Sequence, residues 1–107
     1  MKVPENDSIP AFEWDPVKAQ KNLNKHGVDF AKSAYVFADP LSITIHDTEH
    51  SNDENRWITM GKVNGKVLVL VHVYPNDPQD TPIRIISARL ATLYEIRYYE
   101  EGAQNER

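Results

Sequence analysis

The pattern of apolar and polar positions predicts that the first third of the chain is a short strand followed by two helices. An extended segment, 12–14, carries two aromatic side chains on one face. Asp15-Pro16 is typical of a helix start, an N-cap residue followed by proline at the first helical position. This helix is expected to end near His26, because Gly27 can adopt the left-handed conformation. Its predicted inward contacts are Val17, Ala19, Leu23 and His26.

A second helix is predicted over roughly 30–37, with Asp29 as its cap. Asp39-Pro40 ends it, since a residue before proline is biased away from the helical conformation. The apolar face of this helix consists of Phe30, Ala34 and Phe37. Joined by the glycine turn, the two helices are expected to form an N-terminal helical hairpin.

Period-two alternation and turn signals predict four strands in the remainder of the chain. Asn64-Gly65 is a strong signal for a two-residue hairpin turn. The segment after it, KVLVLVHVY, is apolar on both faces, which is typical of a central strand covered on both sides. The expected strands are 41–46, 56–62, 66–74 and 82–89.

A last helix follows the strands, because Thr92 and Glu95 fit the capping box T-x-x-E. It is expected to run to about Glu101 and to end at Gly102. The predicted fold class is therefore α+β, an antiparallel sheet with an N-terminal helical hairpin and a C-terminal helix. The predicted organisation is a flexible lead-in at 1–11, one domain at 12–102 and a frayed tail at 103–107.

Composition and charge narrow the functions that such a domain can have. The chain has no cysteine, which excludes disulfides, thiolate catalysis and cysteine-based zinc sites. Neither a signal peptide nor a membrane-spanning segment is expected from the apolar runs, and a cytoplasmic location is predicted. The net charge of −4 is unusual for a nucleic-acid binder, so a function of that kind requires a local positive surface.

Several catalytic motifs do not occur in the sequence. No serine lies in a G-x-S-x-G turn, and four glycines without a glycine-rich loop exclude a P-loop or a dinucleotide fold. His46, Asp47, Glu49 and His50 have side chains that can bind a metal ion, but the segment matches no metal motif. A solvated hairpin loop is the favoured interpretation, and neither a metal nor a cofactor is predicted.

Arginine and aromatic side chains near the strands are candidates for contact with a nucleic acid. Arg84 and Arg89 flank an apolar strand, Arg97 lies on the last helix, and an arginine can bind a phosphate through two hydrogen bonds. Strict alternation places Arg84 and Arg89 on opposite faces, so they converge only if a bulge intervenes or the strand ends before Arg89. Trp57 and Tyr74 could stack on bases or belong to the sheet. From the residues alone, surface ion pairs with nearby glutamates are the favoured interpretation of the arginines.

The histidines and lysines have a structural and a functional interpretation. His26 at a helix end and His72 inside a strand could transfer protons, since histidine titrates near neutrality. Their structural alternatives are a cation at the helix terminus and a core residue. Lys18, Lys21 and Lys25 form one stripe on the first helix, either a solvated face or a ridge that contacts phosphates.

Four segments occur in a recognisable order along the chain. They are FEWDPVKAQKNLNKHGVDFAKSAYVFADPL, HS, RWITMGKVNGKVLVLVH and RIISARLATLYEIRYYEE, which together span roughly 12–101. The most specific pieces are the FEWD start, the N-x-x-KHG turn and RIISAR-x-AT-x-x-E. In this order the chain resembles the BrnT family of bacterial toxins.

The resemblance implies a fold similar to the RelE/ParE toxin superfamily and a ribonuclease that inhibits translation. In the RelE-like picture the ribose 2′-hydroxyl attacks the adjacent phosphate without a metal ion, and the protein supplies a base, an acid and cations. The implied partners are a BrnA-type antitoxin that neutralises the toxin, RNA that is free or on the ribosome, and operator DNA reached only through the antitoxin.

Carried onto matching positions, the resemblance implies catalytic and RNA-binding residues. The catalytic candidates are Arg84 and Arg89 on the scissile phosphate, and His26 and His72 in proton transfer. The RNA-binding candidates are Lys18, Lys21, Lys25, Arg56 and Arg97, and the other motif positions are His50, Glu95 and Tyr99.

The last strand and helix depart from the pattern that the resemblance implies. Leu90, Leu93, Tyr94 and Ile96 stand where the family is usually rich in lysine and arginine. This departure leaves an alternative open, a catalytically degenerate module that binds the antitoxin and takes part in regulation of its own operon.

Overall fold

A computed structural model describes residues 2–3, 10–75 and 82–105, with side chains for 10–75 and 82–102. The strands are β1 (Lys2–Val3), β2 (Phe12–Glu13), β3 (Ile43–His46), β4 (Trp57–Val63), β5 (Lys66–Val73) and β6 (Ile83–Leu90). The α-helices are α1 (Pro16–His26), α2 (Phe30–Ser33) and α3 (Leu93–Asn105), and 3-10 turns occupy Ala34–Ala38 and Thr48–His50. The predicted α+β class is confirmed.

The described strands form one mixed sheet in the order β1-β2-β6-β5-β4-β3. Strands β3, β4, β5 and β6 pair with one another in antiparallel fashion, and Asn64 and Gly65 have the positive φ values of the predicted hairpin turn. The expectation of a purely antiparallel sheet is wrong, because β2 runs parallel to β6. Hairpin signals determine direction only between consecutive strands, and both helical segments and three strands separate β2 from β6.

Helices cover both faces of the sheet, but unequally. The larger core cluster lies on one face, named the α1 face, and contains Phe12, Trp14, Val28, Phe30, Ala34, Val36, Leu68, Leu70, Ile83, Ile85 and Ala88. On the opposite face, named the α3 face, Tyr99 packs with Met60, Val67 and Val69. Helix α3 leaves part of this second face uncovered, where Ile45 is 39% exposed.

A β-bulge in β6 determines which side chains reach which face. Val71 and His72 are adjacent on β5, yet they pair with Ser87 and Ile85, so Ile86 is an extra residue without a partner. The alternation of side chains in β6 therefore shifts by one residue at Ile86. As a result, Ile83 and Ile85 before the bulge and Ala88 after it all lie on the α1 face.

Helix α1 has the predicted ends, but the face that packs against the rest of the protein is not the predicted one. The Asp15 carboxylate accepts the Val17 N–H at 2.8 Å, and Gly27 ends the helix with φ of 70°. The prediction that Val17 and Leu23 pack inward is wrong, since they are 62% and 41% exposed. Asn22 is buried instead.

Asn22 is buried because its side chain makes hydrogen bonds with unpaired backbone groups at the edge of β6. Strand β2 pairs with β6 only at Ile83 and Arg84, which leaves the backbone of Ala88 without a strand neighbour on that side. The Asn22 amide donates to the Ala88 carbonyl at 2.8 Å and to the Val28 carbonyl at 3.0 Å, and accepts the Ala88 N–H at 3.1 Å. A polar side chain thus takes the place of one residue of a neighbouring strand.

The other helices also differ from their predicted ends. The predicted second helix, 30–37, is α-helical only to Ser33 and then tightens into the 3-10 turn Ala34–Ala38. Helix α3 continues past Gly102, so the expectation that this glycine ends the helix is wrong. A Cβ at Gly102 would lie 2.7 Å from Cδ1 of Ile43, so glycine here allows α3 to approach β3.

Parts of the predicted terminal segments and of one loop lie outside the described residues. These parts are residues 1 and 4–9 of the expected lead-in, 106–107 of the expected tail, and 76–81 between β5 and β6. Within the lead-in, Lys2–Val3 pair with β2. Of the described helices, none has the length and apolar character that crossing a membrane requires.

We predict that Asn22→Ala lowers the free energy of unfolding by about 1–3 kcal/mol, because the substitution leaves buried backbone groups of Ala88 and Val28 without partners. Urea unfolding followed by circular dichroism measures the change. Asn24→Ala is the matched control on the same helix, at an exposed position, and is expected to change stability by less than about 0.5 kcal/mol. Equal effects of the two substitutions would contradict the role of Asn22.

Candidate functional site

The bulge places Arg84 and Arg89 on the same face of the sheet. Val73 pairs with Arg84 and Val69 pairs with Arg89, and directly opposed residues in a sheet share a face. Both arginines therefore lie on the α3 face. This is the outcome that the sequence analysis expected if a bulge interrupted the strand between them. Their Cα atoms are still roughly 15 Å apart along β6, given the usual rise per residue in a strand.

Glu95 holds the guanidinium group of Arg89 in one orientation. Nη1 and Nη2 donate to the two carboxylate oxygens of Glu95 at 2.7 and 2.9 Å, and Nη1 also donates to the Leu90 carbonyl at 3.3 Å. Glu95 is fixed in turn by the capping box at the start of α3, where it accepts the Thr92 N–H at 2.8 Å. These bonds leave the edge formed by Nε and Nη2 available for a two-point contact with a phosphate.

The two charges of this pair stabilise each other. The hydrogen bonds from Arg89 are the largest cause of a pKa of about 2 for the Glu95 carboxyl. The same contact raises the pKa of Arg89. The pair is therefore fully ionised at physiological pH.

The loop between β3 and β4 has a defined structure in which most side chains remain exposed to solvent. The Asp47 N–H donates to the Arg56 carbonyl at 2.9 Å and closes the loop at its base. The Ser51 hydroxyl donates to the Asp47 carbonyl at 2.5 Å and accepts the Arg56 N–H at 2.9 Å. These bonds hold the 3-10 turn Thr48–His50 against the sheet.

Within this loop, Asp47 orients the ring of His50. Nδ1 of His50 lies 3.1 Å from both carboxylate oxygens of Asp47. Asp47 is only 9% exposed, whereas the His50 side chain is 64% exposed. When Nδ1–H donates to a carboxylate, Nε2 of the neutral ring keeps a lone pair and can act as a general base.

Sequence reasoning named His50 as a motif position without a role, and it did not single out Asp47 as a site residue. The available signal was their spacing of three residues, because side chains at i and i+3 lie above each other on a 3-10 turn. The 3-10 turn itself was not predicted.

A groove of about 440 Å³ on the α3 face brings these groups together. Its lining residues are Asp47, Glu49, His50, Arg56, Ile58, Val69, Val71, Ser87 and Arg89. Nε of Arg56 is buried and has no hydrogen-bond partner among the described residues, which is rare for a buried donor. The groove thus combines a carboxylate-oriented histidine with two guanidinium groups.

Arg84 lies outside this groove. Its Nη2 donates to a Glu54 carboxylate oxygen at 2.5 Å. It lines a second cavity, of about 870 Å³, at the end of the sheet. The two arginines that share a face therefore occupy different cavities.

Neither histidine expected to transfer protons lines the groove. His72 is fully buried on the α1 face, with Nε2 at 2.8 Å from the Thr59 hydroxyl and Nδ1 without a partner among the described residues. Burial lowers the pKa of His72 to about 4, so the ring is neutral at physiological pH. His26 is half-buried at the end of α1.

The remaining RNA-binding and motif candidates lie away from the groove. Lys18, Lys21 and Lys25 are exposed on α1, and Arg97 is exposed on α3. Tyr99 is buried on the side of α3 that faces the sheet, and it donates a hydrogen bond to Asp39. None of these side chains lines the groove.

His46 and His50 do not converge on a common point. Nε2 of His46 lies 3.2 Å from the side-chain oxygen of Asn55, whereas His50 turns towards Asp47. The part of the chain that the structure describes contains no group of three or more histidine, cysteine or acidic side chains that could hold a metal ion.

A comparison with protein families gives one match to this chain. The model described as "Ribonuclease toxin, BrnT, of type II toxin-antitoxin system" matches residues 14–95. The matched segment contains every residue that lines the groove, together with Glu95. A search of curated proteins found no match.

We predict that Glu95→Gln lowers the melting temperature at pH 7 and that this difference shrinks as the pH falls from about 5 towards 2. The folded-state pKa of Glu95 lies below the ordinary value of 4.5, so its contribution is present above that value and is lost near pH 2. Thermal unfolding across this pH range measures the effect. Glu100→Gln, an exposed change on the same helix, is the control. A difference for Glu95→Gln that is independent of pH would contradict the ion pair.

Proposed function

The chain belongs to the BrnT family of ribonuclease toxins of type II toxin–antitoxin systems, and we propose that it cleaves RNA in the groove between the β3–β4 loop and Arg89. The observation that carries the proposal is the pairing of His50 with Asp47 beside two guanidinium groups. A base and fixed cations on one surface are what transfer of a phosphodiester to the neighbouring 2′-hydroxyl requires.

In the proposed reaction, Nε2 of His50 removes the proton from a ribose 2′-hydroxyl. Asp47 keeps the imidazole in the tautomer that carries its proton on Nδ1, and stabilises the positive charge that develops on the ring. The 2′-oxygen attacks the adjacent phosphorus, and the bond to the 5′-oxygen of the next nucleotide breaks. The products are a 2′,3′-cyclic phosphate and a 5′-hydroxyl, and DNA is not a substrate because it lacks the attacking group.

The groove also supplies positive charge for the phosphate as it becomes more negative. Arg89 suits this role because Glu95 fixes its orientation and leaves one edge of the guanidinium group available. A cation that is already oriented needs little reorganisation during the reaction. Arg56 is the proposed second cation, since it lines the same groove. No second histidine lines the groove, so the leaving 5′-oxygen takes its proton from solvent.

This proposal assigns proton transfer to His50 rather than to His26 or His72. The exposure of His50 and its contact with a buried carboxylate support the choice. Arg84 is proposed to contact RNA outside the scissile phosphate. The remaining basic candidates, Lys18, Lys21, Lys25 and Arg97, are proposed to make at most distant contacts with the RNA backbone.

The family description supports further proposals about the biological setting. We propose that a BrnA-type antitoxin neutralises the protein, that cleavage of RNA, free or on the ribosome, inhibits translation in the cytoplasm, and that operator DNA is reached only through the antitoxin. We also propose a RelE-like arrangement, which the antiparallel strands β3 to β6 and the flanking helices support. The reaction is proposed to need no metal ion, because the groove provides the base and the cations.

A second candidate function is a non-catalytic module that binds an antitoxin. The observation in its favour is the exposure of large apolar side chains at the start of α3. Leu90, Leu93, Tyr94 and Tyr98 are 50%, 65%, 79% and 45% exposed. A cluster of this kind is typical of a protein-binding surface, and it is compatible with either function.

We predict that the protein cleaves single-stranded RNA in the presence of EDTA and that His50→Gln lowers the rate about 10²–10⁴-fold, the usual contribution of a general base. The rate is measured by gel electrophoresis of an end-labelled oligonucleotide. His46→Gln, in the same loop but outside the groove, is the matched control and should retain the rate. Equal rates for the wild type and His50→Gln would rule out the proposed base.

We predict that expression without an antitoxin arrests bacterial growth and that Arg89→Ala and Arg89→Lys both relieve the arrest, since a lysine cannot make the two-point contact. Lys32→Ala, an exposed change that also removes one positive charge, is the control. Melting curves of the purified variants check that they are folded. Absence of arrest by the wild type would favour the non-catalytic module.

A further inference from the structure

The groove on the α3 face contains a polar side chain to which the proposed reaction assigns no role. Ser87 belongs to β6 and lines the groove together with Arg89. Its side chain is half-buried, and its hydroxyl makes no hydrogen bond with any residue that the structure describes. A hydroxyl can donate one hydrogen bond and accept two. Ser87 therefore keeps its bonding capacity for a ligand in the groove.

The bulge at Ile86 brings Ser87 to this face of the sheet. Ser87 pairs with Val71 of β5, which also lines the groove. Without the extra residue, Ser87 and Arg89 would both point into the core beneath α1, because alternate residues of a strand share a face. With it, both point into the groove, and Ala88 between them is fully buried in that core. The bulge thus delivers the hydroxyl and the guanidinium group together.

Ser87 lies close to the start of the Arg89 side chain. Residues two positions apart in a strand have Cα atoms roughly 7 Å from each other. Arg89 and Arg84, by contrast, are about twice that distance apart along β6 and line different cavities. A phosphate that Arg89 holds in the groove therefore has Ser87, rather than Arg84, as its neighbour on the strand.

The surroundings of the hydroxyl are apolar. Ile45, Ile58, Val71 and Ser87 lie in register across β3, β4, β5 and β6, and serine is the one polar side chain in this row. Ile58 and Val71 form the floor of the groove beside it, together with Val69. A hydrogen bond to a charged oxygen is stronger in such a setting, because fewer water molecules compete for it. A neutral donor at this position can therefore contribute to the binding of a phosphate.

We propose that the Ser87 hydroxyl donates a hydrogen bond to a non-bridging oxygen of the scissile phosphate. Negative charge grows on these oxygens as the ribose 2′-oxygen attacks, so a donor fixed on a strand stabilises the transition state more than the bound substrate. Ser87 acts on the same phosphate as Arg89 and adds a donor that carries no charge. The inference rests on the proposed function, because it requires a phosphodiester in the groove.

The first test compares rates of RNA cleavage. We expect Ser87→Ala to lower the rate about 10–100-fold, the usual contribution of a hydrogen bond to a charged group. Ser87→Thr keeps the hydroxyl on a side chain that suits a strand, and it should retain most of the rate. Ser42→Ala is the matched control, since Ser42 is also half-buried and its hydroxyl also makes no hydrogen bond with a described residue. Melting curves check that the variants are folded.

The second test distinguishes contact with the phosphate from an effect on the fold. Sulfur, a weak hydrogen-bond acceptor, replaces either non-bridging oxygen of the cleaved linkage, which gives two stereoisomers of the RNA. Ser87→Ala should hardly slow cleavage of the stereoisomer that lacks the bonded oxygen, and it should slow cleavage of the other by its full factor. Equal slowing of both stereoisomers and of unmodified RNA would overturn the inference, and so would an unchanged rate for Ser87→Ala.

A third measurement separates this inference from the proposed function. The same oligonucleotide with 2′-deoxyribose throughout cannot be cleaved, and fluorescence anisotropy follows its binding to each variant. If the wild type cleaved no RNA, the proposed chemistry would fail. Weaker binding by Ser87→Ala than by Ser42→Ala would then still support the contact between Ser87 and a phosphate. Equal binding by these two variants would overturn that contact as well.

Discussion

The bulge at Ile86 is the constraint on which the site depends. A regular β6 could not place Ile83 and Ile85 in the same core as Ala88, because alternate residues of a strand point to opposite faces. One extra residue removes this conflict. It lets both ends of the strand contribute to the core beneath α1, and it brings the two arginines of β6 to the other face. The packing of one face thus determines the chemistry available on the other.

Two carboxylates then convert flexible side chains into oriented groups. Glu95 is held at the start of α3 by the helix cap and fixes Arg89, while Asp47 is held at the base of the β3–β4 loop and orients His50. In each case a backbone contact positions the carboxylate, and the carboxylate positions the functional group. This arrangement also explains how a chain with a net charge of −4 can offer a local cationic surface. Two of its negative charges, those of Asp47 and Glu95, are in contact with His50 and Arg89, the groups that would face RNA.

The sequence predicted the features that depend on local chemistry. The caps at Asp15 and Thr92, the Asn64-Gly65 turn and the apolar central strand all follow from residues that are close in the chain. The features that it did not predict depend on distant contacts. Asn22 is buried only because β2 is too short to cover β6, and no pattern within α1 shows this. The sequence left the bulge open as one alternative, because choosing it requires knowledge of how β5 and β6 pair.

The most direct measurement is the chemical nature of the RNA ends that the purified protein produces. Mass spectrometry of the fragments from a short single-stranded RNA, cleaved in EDTA, identifies both ends. The proposed attack by the 2′-hydroxyl, with His50 as the base, predicts a 2′,3′-cyclic phosphate on one fragment and a 5′-hydroxyl on the other. Fragments that end in a 3′-hydroxyl and a 5′-phosphate would contradict the account, because they require attack by water rather than by the ribose.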